Sequence, residues 1–210
     1  MTIDYEPRRD LTMSFATPIA RMRVKEAAEI NPAIQDLILE NEAANASQQR
    51  SNVGGWHSSD DILDWPAPGL TVLKESIRDA ITQMTKLTLG SDTFDGRLIL
   101  IAWANVMRHG AYHQPHTHAQ SHWSGVYYVN AGQPDPDWPR SGSIEVQDPR
   151  ERTEMNATPG NPFGQTTAIP AEAGTMIVFP SWLNHWVNPY YGKGERISIS
   201  FNGRVIPSRS

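Results

Sequence analysis

Residues 116–130 read HTHAQSHWSGVYYVN, a histidine pair followed by an apolar run rich in aromatic and β-branched residues. Residues two apart on an extended chain point to the same face, so His116 and His118 can direct both imidazoles at one point. Imidazole nitrogen is a common ligand of first-row transition metals. The stretch therefore predicts a metal site beside a β-strand over residues 123–130.

A third histidine stands in residues 173–189, which read AGTMIVFPSWLNHWVNP. There an apolar strand ends in a turn, and His185 follows shortly after it. A close pair plus one distant histidine forms a three-ligand site with open positions, so we predict His116, His118 and His185 as metal ligands. Residues 109–122 hold five of the seven histidines. For that tract alone, the alternative is a solvated loop or a set of ordinary hydrogen-bonded histidines.

Arg196 begins the run RISISFN eleven residues after His185. On a strand, Arg196 and Ser198 share one face, and the apolar residues between them share the other. A guanidinium fork beside a hydroxyl suits a carboxylate ligand. A surface ion pair with Glu195 or an aspartate is the alternative for Arg196 alone, but its position after His185 and the companion Ser198 favour an internal anion site.

The rest of the chain divides by periodicity. A helix beginning at Pro32 and a second helix over residues 69–86 are predicted, with a loop over residues 51–68 between them. Strand-like runs follow at residues 97–106, 123–130, 143–147, 175–180 and 196–202. We predict a mainly β fold with N-terminal helices, an antiparallel sandwich or barrel braced by helices on one face. Residues 1–95 form the helical region and residues 96–210 the β region of one structural domain.

Composition excludes several functions. The chain has 210 residues and no cysteine, so disulfides, thiolate metal sites and a cysteine nucleophile are excluded. A net charge of −5 disfavours nucleic acid and anionic lipid as partners. Neither a secretory leader nor a membrane-spanning run is apparent, so we expect a cytoplasmic protein. Seven tryptophans leave room for an apolar homodimer interface.

The combined motif resembles that of the Fe(II)/2-oxoglutarate dioxygenase superfamily: His-x-Asp/Glu, a distant His, then Arg-x-Ser. Over residues 97–203 the chain is similar to a group of bacterial and phage-associated oxygenases of that superfamily. The resemblance implies a double-stranded β-helix, or jelly roll, with Fe(II) and 2-oxoglutarate as cofactors. It implies that Arg196, helped by Ser198, binds the 5-carboxylate of 2-oxoglutarate. Asn105, eleven residues before His116, is a further cosubstrate contact by analogy with alkylation-repair dioxygenases, and a side chain bonded to backbone is the alternative.

His118 stands where the superfamily usually has a carboxylate, which leaves one more positive charge on the metal site. A 2-oxoglutarate dianion would neutralise that charge. The resemblance implies hydroxylation of a small-molecule or peptide substrate without a catalytic general base from the protein. Two alternatives stay open: a cupin-like three-histidine enzyme that does not use 2-oxoglutarate, and a non-catalytic metal- or ligand-binding jelly roll.

Two further histidines and several aromatic residues lie near the motif. We expect His113 and His122 to be exposed, and the alternative is that they orient the metal-binding imidazoles or contact substrate. Five aromatic residues near strand ends line either the pocket or the core: Trp123, Tyr127, Tyr128, Trp182 and Trp186.

Overall fold

The computed structural model describes residues 6, 12, 14–151 and 166–208. Two helices occur there, α1 (Ala27–Ala44) and α2 (Pro68–Leu89), with a short 3-10 helix at Ile62–Asp64. The strands are β1 (Ala20–Arg23), β2 (Asn52–Val53), β3 (Trp56–His57), β4 (Gly96–Met107), β5 (Tyr112–His116), β6 (Trp123–Asn130), β7 (Gln133–Pro134), β8 (Ile144–Gln147), β9 (Thr166–Ile169), β10 (Thr175–Pro180), β11 (His185–Val187), β12 (Gly192–Lys193) and β13 (Arg196–Pro207).

The strands form two main antiparallel sheets. The larger has the order β1-β10-β6-β13-β4-β3, and the smaller has the order β2-β5-β11-β8-β9. Strands β7 and β12 make a separate two-stranded pair. This architecture confirms the predicted mainly β jelly roll with N-terminal helices.

The large sheet is apolar on one face and mixed on the other. On β13, Ile197, Ile199 and Phe201 belong to the same buried cluster as residues of both helices. Arg196 precedes Ile197 on the strand, and Ser198 lies between Ile197 and Ile199. Both polar side chains point instead into the space between the two sheets. Alternation along the strand thus puts the core on the helix side and polar groups on the sheet–sheet side.

The helices pack through residues at helical spacing. Helix α1 buries Ile30, Ile34 and Ile38, each four residues from the next. It begins at Ala27, five residues earlier than predicted, and Pro32 lies inside it. The predicted start was wrong because the burial of Ala27 and Ile30 draws the residues before Pro32 into the helix.

The segment predicted as a loop, residues 51–68, joins both sheets. Strand β2 pairs with β5 of the small sheet, and β3 pairs with β4 of the large sheet. The loop prediction was wrong because two-residue strands are too short to show a period. Together with β1, these strands place part of residues 1–95 within the sheets. The predicted division of the domain into a helical region and a β region at residue 95 stays a prediction.

The described helices include none that is long and apolar enough to span a membrane.

Candidate metal and cosubstrate site

The three predicted metal ligands lie together where β5 and β11 pair. His116 ends β5, and His185, the first residue of β11, is its partner in register. His118 follows two residues after β5, where its backbone N–H donates to the Ser181 carbonyl at 3.0 Å. One candidate ligand nitrogen from each histidine lies within 4.8 Å of the others. The structure therefore brings together two neighbouring residues and one that is distant in sequence.

Backbone carbonyls fix the orientation of two of these imidazoles. His116 Nδ1 lies 2.7 Å from the Gln114 carbonyl oxygen, and His185 Nδ1 lies 2.8 Å from that of Leu183. Because a carbonyl only accepts, each Nδ1 carries the proton and each Nε2 keeps its lone pair. This arrangement suits a pair of metal-binding nitrogens.

The three imidazoles are neutral at ordinary pH. Burial, reinforced by neighbouring histidines, lowers the pKa of His118 to about 4 and that of His185 to about 3. Burial also lowers the pKa of His116. Neutral imidazole is the form that binds a metal, so this donor set fits a divalent cation.

A cavity of about 410 Å³ lies between the two sheets beside the histidines. Its lining includes all the residues predicted for the site: His116, His118, His185, Arg196, Ser198 and Asn105. The cavity therefore joins the candidate metal ligands to the candidate anion site.

Arg196 is almost completely buried, with 1% of its surface exposed. Its Nε donates to the Gly142 carbonyl at 2.9 Å, and its Nη1 lies 3.2 Å from Ser198 Oγ. Its Nη2 has no hydrogen-bond partner among the described residues. Glu195, the alternative partner, instead lies 3.5 Å from Arg108 Nε. The alternative of a surface ion pair for Arg196 is therefore wrong. The buried guanidinium retains an unused donor.

Tyr128 supplies a second unused group beside Arg196. Its hydroxyl is buried without a hydrogen-bond partner in the described chain, and Arg196 Cζ lies 5.0 Å from its ring centroid. Burial raises the pKa of Tyr128 and lowers the pKa of Arg196, although the charge of each group and the close approach of the two side chains act in the opposite direction. A phenol and a guanidinium thus face the same cavity with donors free.

Asn105 also lines the cavity. Its Nδ2 donates to Ser200 Oγ at 3.0 Å, and its Oδ1 has no partner within the described structure. The alternative of a backbone-bonded side chain is therefore wrong, since the amide contacts another side chain and faces the cavity.

Several residues of the cavity were missed or misjudged from the sequence. His113 is buried rather than exposed, and its Nδ1 lies 3.3 Å from Ser51 Oγ. His122 is exposed as expected. The ring of Trp103 stacks on that of His57 at 5.5 Å and lies 5.7 Å from that of His118. Trp103 lies two residues before Asn105 on β4, so strand alternation places both side chains on the cavity face.

Comparison with known families identifies the domain. Residues 101–202 match the family model described as "Putative 2OG-Fe(II) oxygenase". The chain carries a 2OG-Fe(II) oxygenase domain. Its cofactors are Fe(II) and 2-oxoglutarate, as predicted, and the matched residues include every predicted site residue of the oxygenase. A search of curated proteins found no significant match.

Solved structures show the same fold at low sequence identity. A prolyl-4-hydroxylase from Pseudomonas putida is 17% identical, with a TM-score of 0.60 over 92% of the oxygenase and 94% of that chain. A prolyl hydroxylase from Trichoplax adhaerens, solved with a hypoxia inducible factor peptide fragment, is 12% identical, with a TM-score of 0.59 over 90% of the oxygenase and 83% of that chain. HygX from Streptomyces hygroscopicus, solved with nickel and 2-oxoglutarate, is 12% identical, with a TM-score of 0.57 over 91% of the oxygenase and 84% of that chain.

Proposed function

We propose that the oxygenase binds Fe(II) through His116, His118 and His185 and hydroxylates a small-molecule or peptide substrate. The observation that carries this proposal is one cavity lined both by three neutral imidazoles and by a buried guanidinium–phenol pair with unused donors. The first group suits a divalent metal, and the second suits a carboxylate.

The metal part of the proposal rests on the chemistry of the donors. His116 and His185 each direct an unprotonated Nε2 away from the carbonyl that holds Nδ1. Because His118 replaces a carboxylate, all three donors are neutral and the full charge of Fe(II) remains. A dianionic cosubstrate then offsets that charge, which favours chelation of 2-oxoglutarate over a neutral ligand.

The cosubstrate part rests on buried polar groups without partners. A buried donor left unsatisfied costs about 1–3 kcal/mol. A carboxylate placed between Arg196 Nη2 and the Tyr128 hydroxyl would accept from both and remove both penalties. We assign the 5-carboxylate of 2-oxoglutarate to this place, with Ser198 holding Nη1 of the arginine.

Asn105 completes the assignment. Its amide bonds to Ser200, whose hydroxyl can donate as well as accept. Rotating the amide end for end would let Oδ1 accept from that hydroxyl and would turn Nδ2 toward the cavity. Asn105 can therefore donate to the cosubstrate without losing its contact with β13.

The protein's own part in the reaction is to bind, orient and keep water out. Bound Fe(II) with 2-oxoglutarate and O₂ supplies the oxidising power for hydroxylation. Arg196 and Tyr128 fix one end of the cosubstrate. The neutral histidines hold the metal and exchange no proton, so no side chain is needed as a general base. Trp103 and His57 wall the side of the cavity next to His118.

Calorimetric titration of 2-oxoglutarate into the anaerobic Fe(II) protein tests this function. Wild type and Arg78→Ala, a matched variant on α2 away from the cavity, should bind 2-oxoglutarate with the same affinity. Arg196→Ala should bind it roughly 100-fold more weakly or worse, because removing one partner of a buried charge pair costs about 3–5 kcal/mol. Absence of binding in wild type would refute the proposal and favour the cupin-like alternative.

A further inference from the structure

Two residues of opposite charge stand at the exposed rim of the same cavity. Arg50 and Asp60 both line it, and both are exposed. His57 lines the same cavity, and its buried ring experiences the charge of each. The rim thus presents a cation and an anion to one opening.

The backbone at both positions is anchored. Arg50 N–H donates to Asn52 Oδ1 at 2.8 Å, and the next residue's carbonyl accepts from Gln114 of β5 at 2.9 Å. The Asp60 carbonyl accepts from Ala102 of β4 at 3.4 Å, next to a β-bridge between Asp61 and Ala102. The backbone at Arg50 is therefore anchored to the small sheet and that at Asp60 to the large sheet, so the fold defines both positions.

Neither charge is neutralised within the described structure. The Asp60 carboxylate has no ion pair or hydrogen bond to another described side chain, and the contact of the Arg50 guanidinium is a 3.3 Å bond to the neutral Gln48 Oε1. Both therefore remain able to bind groups of a ligand.

An apolar wall connects this rim to the candidate metal ligands. Trp103 lies between His57 and His118, with ring distances of 5.5 Å and 5.7 Å. Ile101, two residues earlier on β4, lines the cavity and is 43% exposed. A molecule held at the rim would place an apolar portion against this wall, directed toward His118.

We propose that the substrate of this oxygenase is a free amino acid with an apolar side chain, its carboxylate bound by Arg50 and its ammonium by Asp60. The proposal rests on the function proposed above for the reactive end of the cavity. A peptide segment supplies neither charge from its backbone, so a rim with both signs favours the free zwitterion.

Binding calorimetry on the anaerobic Fe(II)–2-oxoglutarate protein tests this assignment without requiring turnover. The probes are L-valine, L-leucine, L-isoleucine, L-methionine, L-proline and L-phenylalanine. For the tightest of them, matched probes are the same molecule lacking the amino group, lacking the carboxylate, and blocked at both ends as the N-acetyl methylamide. We expect at least one amino acid to bind. Each matched probe should bind at least about 10-fold more weakly than its parent amino acid, as expected for loss of a charged hydrogen bond.

Variants that remove the charge and keep a polar side chain locate the contacts. Arg50→Gln and Asp60→Asn should each weaken amino-acid binding by about 10-fold and leave 2-oxoglutarate affinity unchanged. Arg78→Ala and Asp79→Ala, the corresponding charges on α2, should change neither. A lower affinity of Arg50→Gln for 2-oxoglutarate would overturn the proposal, since Arg50 would then bind the cosubstrate.

The remaining outcomes separate the two proposals. If 2-oxoglutarate binds but no amino acid does, or if the blocked derivative binds as tightly as the amino acid, the substrate class is wrong and the cofactor assignment stands. If 2-oxoglutarate does not bind, the same amino-acid titrations on protein with Fe(II) alone still test the rim, because Arg50 and Asp60 do not form the Arg196 site.

Discussion

Replacing Tyr128 with phenylalanine should make the empty protein more stable and its cosubstrate binding weaker. The buried hydroxyl has no partner among the described residues, so removing it relieves a desolvation penalty of about 1 kcal/mol. The melting temperature of the metal-free protein should then rise by about 2–4 °C. In the Fe(II) protein the same hydroxyl would donate to a carboxylate, a bond worth about 1.5–3 kcal/mol. Its loss should weaken 2-oxoglutarate binding about 10- to 150-fold.

The neighbouring Tyr127 provides the matched control. Its hydroxyl donates to Asn31 Oδ1 at 2.5 Å, and its ring packs in the core shared with the helices. Tyr127→Phe loses an existing hydrogen bond, so it should destabilise the protein by about 1 kcal/mol. Because Tyr127 is on the opposite face of β6, 2-oxoglutarate affinity should not change.

Thermal melting of the metal-free variants and anaerobic calorimetry with 2-oxoglutarate measure these effects. A Tyr128→Phe protein that is less stable than wild type would mean that the hydroxyl already has a partner. Unchanged 2-oxoglutarate affinity in that variant would refute the assignment of Tyr128 to the carboxylate site.

Two further predictions concern stability. Burial lowers the pKa of His113 and of His185 to about 3. An unfolded histidine has a pKa of about 6.5, so below that pH the unfolded chain binds more protons than the folded one. The free energy of unfolding therefore decreases as the pH is lowered below about 6.5. Urea unfolding of the metal-free protein measures how far the free energy of unfolding decreases between pH 6 and pH 5. That decrease should be about 1 kcal/mol smaller in His113→Gln than in wild type. An equal decrease in the two proteins would contradict a buried neutral His113. Gly125→Ala should destabilise the protein by about 1–3 kcal/mol, because an added Cβ would clash with the Phe201 ring and the Ile177 carbonyl oxygen, and an unchanged urea midpoint would contradict that packing.

The metal site could be predicted from sequence because its signals are local. The spacing of His116 and His118 fixes a shared face, and His185 and Arg196 stand at recognisable ends of apolar strands. The structure brings them together through the pairing of β5 with β11, which the sequence indicates only through the family motif.

The wall and rim of the cavity could not be predicted in this way. Tyr127 and Tyr128 are adjacent and identical in type, so only the register of β6 decides which one faces Arg196. Arg50 and Asp60 belong to a segment without periodicity, and both line one cavity because β2 and β3 join different sheets. Such placements depend on long-range pairing and leave no local pattern.

The cytoplasmic location, the possible homodimer and the low expectation of nucleic-acid binding also stay predictions.

Anaerobic Fe(II) titration of wild type, His185→Ala and His122→Ala tests the three-histidine centre most directly. His122 belongs to the same histidine-rich tract but is exposed, and its Nδ1 accepts the Val205 N–H at 2.9 Å. Wild type and His122→Ala should each bind one Fe(II) per chain with equal affinity, whereas His185→Ala should lose tight binding. Equal loss in the two variants, or tight binding retained by His185→Ala, would contradict the assignment of His116, His118 and His185 as the metal ligands.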